Sequence, residues 1–145
     1  MPRDISGYHE TYQLLAVQDP NAAEVNTLAN GYISMVGHEW GVIVCSATLT
    51  DTKTAIFEMT QASDVAGTGK ADVSGFTKTL TGAAGTTRGL YPVGQIDFNV
   101  NDLTDASETK HFVGVDCTTD QATDLASAVL YLGGGDYQSS DNAGQ

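Results

Sequence analysis

Residues 41–61 read GVIVCSATLTDTKTAIFEMTQ, and this stretch decides the fold class. From Gly41 to Thr50, Ile43, Cys45, Ala47 and Leu49 fall on one side of an extended chain, and Val42 and Val44 fall on the other. A period of two is the spacing of a strand, not a helix. The apolar residues on the second side suggest a strand covered on both faces. Asp51-Thr52 reads as a turn. From Thr54 to Gln61 the alternation resumes, with Ala55, Phe57 and Met59 set against Ile56, Glu58 and Thr60.

Similar runs recur outward from this pair. Gly31–Val36 precedes it, and Val73–Thr81 follows with a broken alternation. In Gln95–Val100, Ile96, Phe98 and Val100 oppose Gln95, Asp97 and Asn99. Lys110–Thr118 puts His111, Val113, Val115 and Cys117 in one register, and Leu125–Leu132 closes the series. Loops rich in Gly, Ser, Thr and Asp separate the runs at 62–72, 82–89 and 102–108. Seven or eight short strands and no amphipathic helix predict an all-β, single-domain antiparallel β-sandwich or jelly-roll. The predicted organisation is an extended N-terminal arm over 1–24, the sandwich over 25–135 and a polar tail over 136–145. The arm contains a candidate edge strand, Tyr8–Leu15, ahead of a turn at Asp19-Pro20-Asn21.

The chain of 145 residues carries 6 Lys plus Arg against 18 Asp plus Glu, a formal charge of −12. Six scattered cations do not make a phosphate-binding surface, which excludes nucleic acid and disfavours an anionic membrane. No apolar run approaches the roughly 20 residues of a membrane span. Met1-Pro2-Arg3-Asp4-Ile5 lacks the apolar segment of a secretion signal, so synthesis in the cytoplasm is expected. Charged residues are 17%, below the usual value of about 25%, and Thr fills much of the gap. Cys45 and Cys117 read as small buried apolar groups, and a disulfide between them would require adjacent strands.

Chemistry-bearing patterns are few. Asp97–Glu108 sets oxygen ligands at EF-hand spacing, but Asp102 stands where the tight turn needs Gly, and the preceding segment is a strand. Asp97, Asn99 and Asn101 are better read as the solvent side of that strand, so no metal is expected. His9, His38 and His111 are far apart, and GHEWG at 37–41 is not a zinc motif. No nucleophile elbow or P-loop is present, so neither an enzyme nor a cofactor is expected. Trp40 and Tyr91 are candidate stacking platforms for a sugar, which leaves a receptor- or glycan-binding module as an alternative function.

Four pieces in order carry a family resemblance: VNTLANGYISM at 25–35, GVIVCSATLTDTKTAIFEMTQASD at 41–64, DVSGF at 72–76 and SAVLYLGGGDY at 127–137. Together the region Ala22–Tyr137 resembles the decoration, cement or minor capsid proteins of tailed-bacteriophage heads. The resemblance implies a β-sandwich or jelly-roll on the exterior of the virion, bound to the major capsid protein and bridging its subunits. It also implies a homo-oligomer, a dimer or trimer at capsid symmetry axes. A head–tail or tail structural role is the neighbouring alternative. On this reading Tyr8, Tyr12, Leu14 and Leu15 of the arm are the candidate capsid or subunit contacts.

Overall fold

The computed structural model describes residues 31–84, 92–103, 111–121 and 123–134 in full, and the backbone of 11–17 and 26–27. Among these residues the strands are β1 (Thr11–Val17), β2 (Asn26–Thr27), β3 (Ile33–Ser34), β4 (Trp40–Thr48), β5 (Thr54–Ala62), β6 (Ala71–Thr81), β7 (Val93–Asn99), β8 (Phe112–Thr119) and β9 (Leu125–Gly133). One turn of 3-10 helix, Val100–Asp102, follows β7.

Strands that meet are antiparallel and come mostly from distant parts of the chain. One sheet has the order β1-β9-β4-β7. The other has the order β2-β8-β5-β6, with β3 also paired to β8. β2 and β3 meet β8 at opposite ends, at Cys117–Asp116 and at Val113–Phe112, so they act as one interrupted edge strand. The pairs are therefore nested: β1 with β9, β2 and β3 with β8, β4 with β7, and β5 with β6. Successive pairs fall alternately into the two sheets. This is a long hairpin rolled on itself, the jelly-roll form of a double-sheet sandwich.

The core lies between the sheets and is built from the alternation already legible in the sequence. Ile43, Cys45 and Ala47 of β4, with Leu49 just beyond it, face Ala55, Phe57 and Met59 of β5, and all are buried. Val113, Val115 and Cys117 of β8 join Ala126, Ala128, Leu130 and Leu132 of β9. Both cysteines are free and buried, one in each sheet. Burial pushes each thiol up to about 12, and for Cys117 the neighbouring Cys45 adds to the effect.

Three expectations change. Val42 and Val44 are half-buried on the outer side of their sheet, whereas β8 is the strand enclosed on both faces, with Gly114 and Asp116 also buried. The run 31–36 is a strand only at Ile33–Ser34, because the Tyr32 N–H donates to Val65 O at 3.1 Å and not to a neighbouring strand. β6 starts two residues before Val73. Its broken alternation is a bulge, since Glu58 pairs with Thr77 but Thr60 pairs with Asp72. Gly75 lies in this bulge with φ +89°, a backbone conformation that suits glycine.

β4 and β5 are consecutive but lie in different sheets, so residues 49–53 must cross the sandwich. The Lys53 N–H closes the turn on Thr50 O at 3.0 Å, and Thr52 takes φ 53°, costly for a β-branched residue. Two aspartates in the β8–β9 connection hold this crossing. Asp124 Oδ1 accepts from Thr50 N at 2.9 Å and Thr50 Oγ1 at 3.0 Å. Asp120 Oδ2 accepts from Thr54 N at 2.8 Å and Thr54 Oγ1 at 2.9 Å.

The backbone and hydroxyl bonds from Thr54 hold the Asp120 carboxyl below its ordinary value of 3.8. A carboxyl with a depressed folded-state pKa stabilises the fold above its unfolded value and loses that contribution as pH falls through the folded one. The Asp120 clamp therefore contributes fully at pH 5–7 and fades below about pH 4. In thermal melts across this range, Asp120→Ala is expected to lower Tm near neutrality and to show a smaller acid-induced fall than the parent chain. Parallel curves would show that the clamp carries no linked proton.

Candidate interaction surfaces

On the five-stranded sheet, antiparallel pairing sets Glu58 of β5 directly beside Asp116 of β8. Like charges opposite one another are unfavourable. Asp116, whose side chain is 5% exposed, is ion-paired to Lys70. Burial works against the Lys70 ammonium, but the hydrogen bond and charge of Asp116 outweigh it and hold its pKa above the ordinary value.

The loop that delivers Lys70 is shaped locally. Asp64 Oδ1 accepts from the N–H groups of Ala66 and Thr68, both at 2.9 Å, and the Ser63 N–H donates to Thr68 O at 2.9 Å. The loop lies over Tyr32, with Gly67 against one part of the ring and Gly114 of β8 against another. A Cβ at these positions would stand 2.6 Å from Tyr32 Cε2 and 2.7 Å from Tyr32 Cε1. Thr60 Oγ1 donates to the Tyr32 hydroxyl at 3.2 Å. Tyr32, Gly114, Lys70 and Asp116 thus form one polar-capped cluster that seals the outer side of β8. Its place is hidden in the sequence, because Tyr32 falls in the run read as a strand over 31–36 and Lys70 in the loop read over 62–72, and neither reading brings them to β8.

The outer face of the four-stranded sheet is of another kind. Register places Val42 beside Tyr131, Val44 beside Val129 and Ser46 beside Ser127. The two serine hydroxyls bond each other at 2.6 Å. Asp97 of β7 is the one charged residue at an outward position of β4, β7 or β9, and Gln95 Nε2 donates to its two oxygens at 2.9 and 3.1 Å. Trp40 is 38% exposed at the end of this face, with its indole lying where a Cβ on Gly133 would stand. The backbone of Glu39 secures that end, donating to Gly133 O at 3.0 Å and accepting from Val100 N at 2.8 Å.

The candidate contacts of the arm fall as follows. Tyr8 lies outside the described residues, as do His9 and Tyr91. Tyr12, Leu14 and Leu15 belong to β1, which is an edge strand of the four-stranded sheet. Tyr12 pairs with Tyr131 and Leu14 with Val129, while Leu15 sits at a shift in register. Part of the predicted arm is thus a strand of the sandwich. Residues 104–108 of the EF-hand-like segment are also outside the described set. Within 97–103, Asp97, Asn99 and Asn101 are exposed, and Asp102 Oδ2 accepts from Asn99 N at 2.7 Å. Among the described residues no group of three or more His, Cys, Asp or Glu is placed to hold a metal ion. No helix among them is long and apolar enough to cross a membrane.

No protein-family profile matches the sequence, and no curated protein matches it. The fold does have solved counterparts. It is similar to a chain of the infectious bursal disease virus VP2 subviral particle, with TM-score 0.53 and 14% identity, covering 92% of this chain and 35% of that one. A structure of the Gx strain of the same virus gives TM-score 0.50 and 14% identity, covering 90% and 33%. The chain spans about a third of the length of the chains it matches. At this identity the likeness is one of fold.

The pair sealing β8 is expected to matter more than an exposed ion pair, worth up to about 1 kcal/mol, and less than a fully buried one. Lys70→Ala should destabilise the chain by about 1–3 kcal/mol in urea unfolding, since it leaves the Asp116 carboxylate beside Glu58 without its ion pair. The same substitution made with Asp116→Asn should cost less. Equal costs in the two backgrounds would show that the pair is not coupled.

Proposed function

We propose that this chain is a structural protein of a virus particle, and more specifically a decoration or cement protein on the head of a tailed bacteriophage. It would bind the outer surface of an icosahedral shell and bridge subunits of the major capsid protein. The observation that carries the reading is the nested strand pairing of a jelly-roll, matched over 92% of the chain by a chain of a virus particle. The ordered sequence pieces that resemble phage head proteins support the finer assignment. Fold by itself does not fix function, so the surfaces have to suit the task. Two broad sheet faces suit binding across a shell, where many weak copies gain by avidity. Binding to the assembled state lowers its free energy by mass action, so such a protein stabilises the shell without catalysis.

Tyr8, Tyr12, Leu14 and Leu15 are proposed as shell contacts. Because β1 is part of the sheet, their role is tested by point substitution and not by deleting the segment. Purified protein mixed with bare shells of the source phage and spun through a gradient should co-sediment saturably, at a fixed ratio to the shell protein. Tyr8→Ser with Leu15→Ser should weaken that binding while leaving the circular dichroism spectrum unchanged. Protein remaining at the top of the gradient would overturn the cement reading, and unweakened binding by the double variant would remove the arm from the contact.

A further inference from the structure

We propose that the outer face of the four-stranded sheet is a contact surface for a second copy of this chain, packed face to face. The inference does not depend on shell binding, and its test uses the isolated protein.

Two copies at −12 each repel one another, so a homotypic contact has to form where charge is absent. This face meets that condition. On β4 and β9 its outward positions carry no charge, and Asp97, on the edge strand β7, is held by Gln95. The other sheet presents Glu58, Asp72 and the Lys70–Asp116 pair on its outer side, which would set carboxylates against carboxylates in a symmetric contact. A basic partner is disfavoured for the same reason: the face offers it one carboxylate, and electrostatic complementarity needs more.

The centre of the face is suited to losing its water. The Val42–Tyr131 and Val44–Val129 rows are apolar, and the next row, Ser46 and Ser127, has its hydroxyls bonded to each other. Covering hydroxyls that already have a partner avoids most of the desolvation cost of polar burial. The area is sufficient. Four strands about 4.8 Å apart, the longest rising about 3.3 Å over each of its residues, give a face of roughly 500–600 Å² per copy. A pair would bury about 1,000–1,200 Å², at the lower bound for a specific interface and in the range of a weak, reversible one. Two such faces pack as sheets do, about 10 Å apart, with rows of one set between rows of the other.

Sedimentation velocity over a range of concentrations should show a monomer–dimer equilibrium that tightens as salt is added, because screening relieves the net repulsion while the apolar contact is unaffected. Val44→Glu places a like charge in the centre and should raise the dimer Kd about tenfold or more. Circular dichroism would show that this variant is folded. Should it fail to fold, cysteine cross-linking replaces it. Val44→Cys is expected to give a disulfide-linked dimer under mild oxidation, and Thr77→Cys, exposed on the other sheet, is not. The native thiols are buried and do not compete. A chain that stays monomeric throughout, a Kd unchanged by Val44→Glu, a dimer weakened by salt, or equal cross-linking at both cysteines would overturn the proposal.

Discussion

The pairing of β4 with β9 and of β5 with β8 is the constraint on which the rest of this molecule depends. These four strands are the inner members of the two sheets, and their registers run over nine and eight residue pairs. Each pairing joins segments far apart in the chain, so the entropy of closing long loops precedes any gain from burial. Once formed, the pairings leave little freedom elsewhere. β7 and β6 occupy the open sides of β4 and β5, while β1, β2 and β3 take those of β9 and β8. The consecutive strands β4 and β5 are forced apart into different sheets. Residues 49–53 then have to cross, and the crossing carries a strained Thr52 that Asp120 and Asp124 hold in place.

This explains what was legible in the sequence and what was not. Alternation reports which side of a strand is buried, and it places Ile43, Phe57, Ile96, Val115 and their neighbours in the core. It does not report which strand lies beside which, so sandwich and jelly-roll are indistinguishable until the register is known. It also fails where a strand is covered by something irregular. Gly114 and Asp116 occupy the polar phase of β8, yet Tyr32 and Lys70 bury them from outside. Pairing as short as that of β2 and β3 sets no period: β2 leaves no trace, and the run read over 31–36 is a strand only at Ile33–Ser34. Of the candidate contacts, Tyr12 and Leu14 stood out as apolar residues in a segment of unclear packing. The structure places their backbone beside Tyr131 and Val129, a relation only register supplies.

Among the described residues the acidity is distributed unevenly between the two sheets, and that distribution says more than the total. On the five-stranded sheet Glu58 pairs in register with Asp116, which is ion-paired to Lys70. On the four-stranded sheet one aspartate stands at the edge of an otherwise neutral face. A uniform coat of charge would serve solubility alone. A face without charge leaves the net charge unchanged, and on the proposed contact between copies it is the orientation in which two such chains repel least.

On the functional reading proposed above, the difference between the faces has a mechanical consequence. A protein that binds a shell in many copies gains from contacts that are individually weak, since weak contacts correct their own misplacement and avidity supplies the total strength. That arrangement requires the surface used between copies to be distinct from the surface used toward the shell; otherwise one contact competes with the other. The jelly-roll provides this separation through its geometry. Its two sheets face opposite ways, so a copy docked on the neutral face leaves the charged face and the open strand edges free. β1, the edge strand that carries Tyr12, Leu14 and Leu15, is the outermost of the four strands of that face, so a shell contact made along its open edge would adjoin a contact between copies.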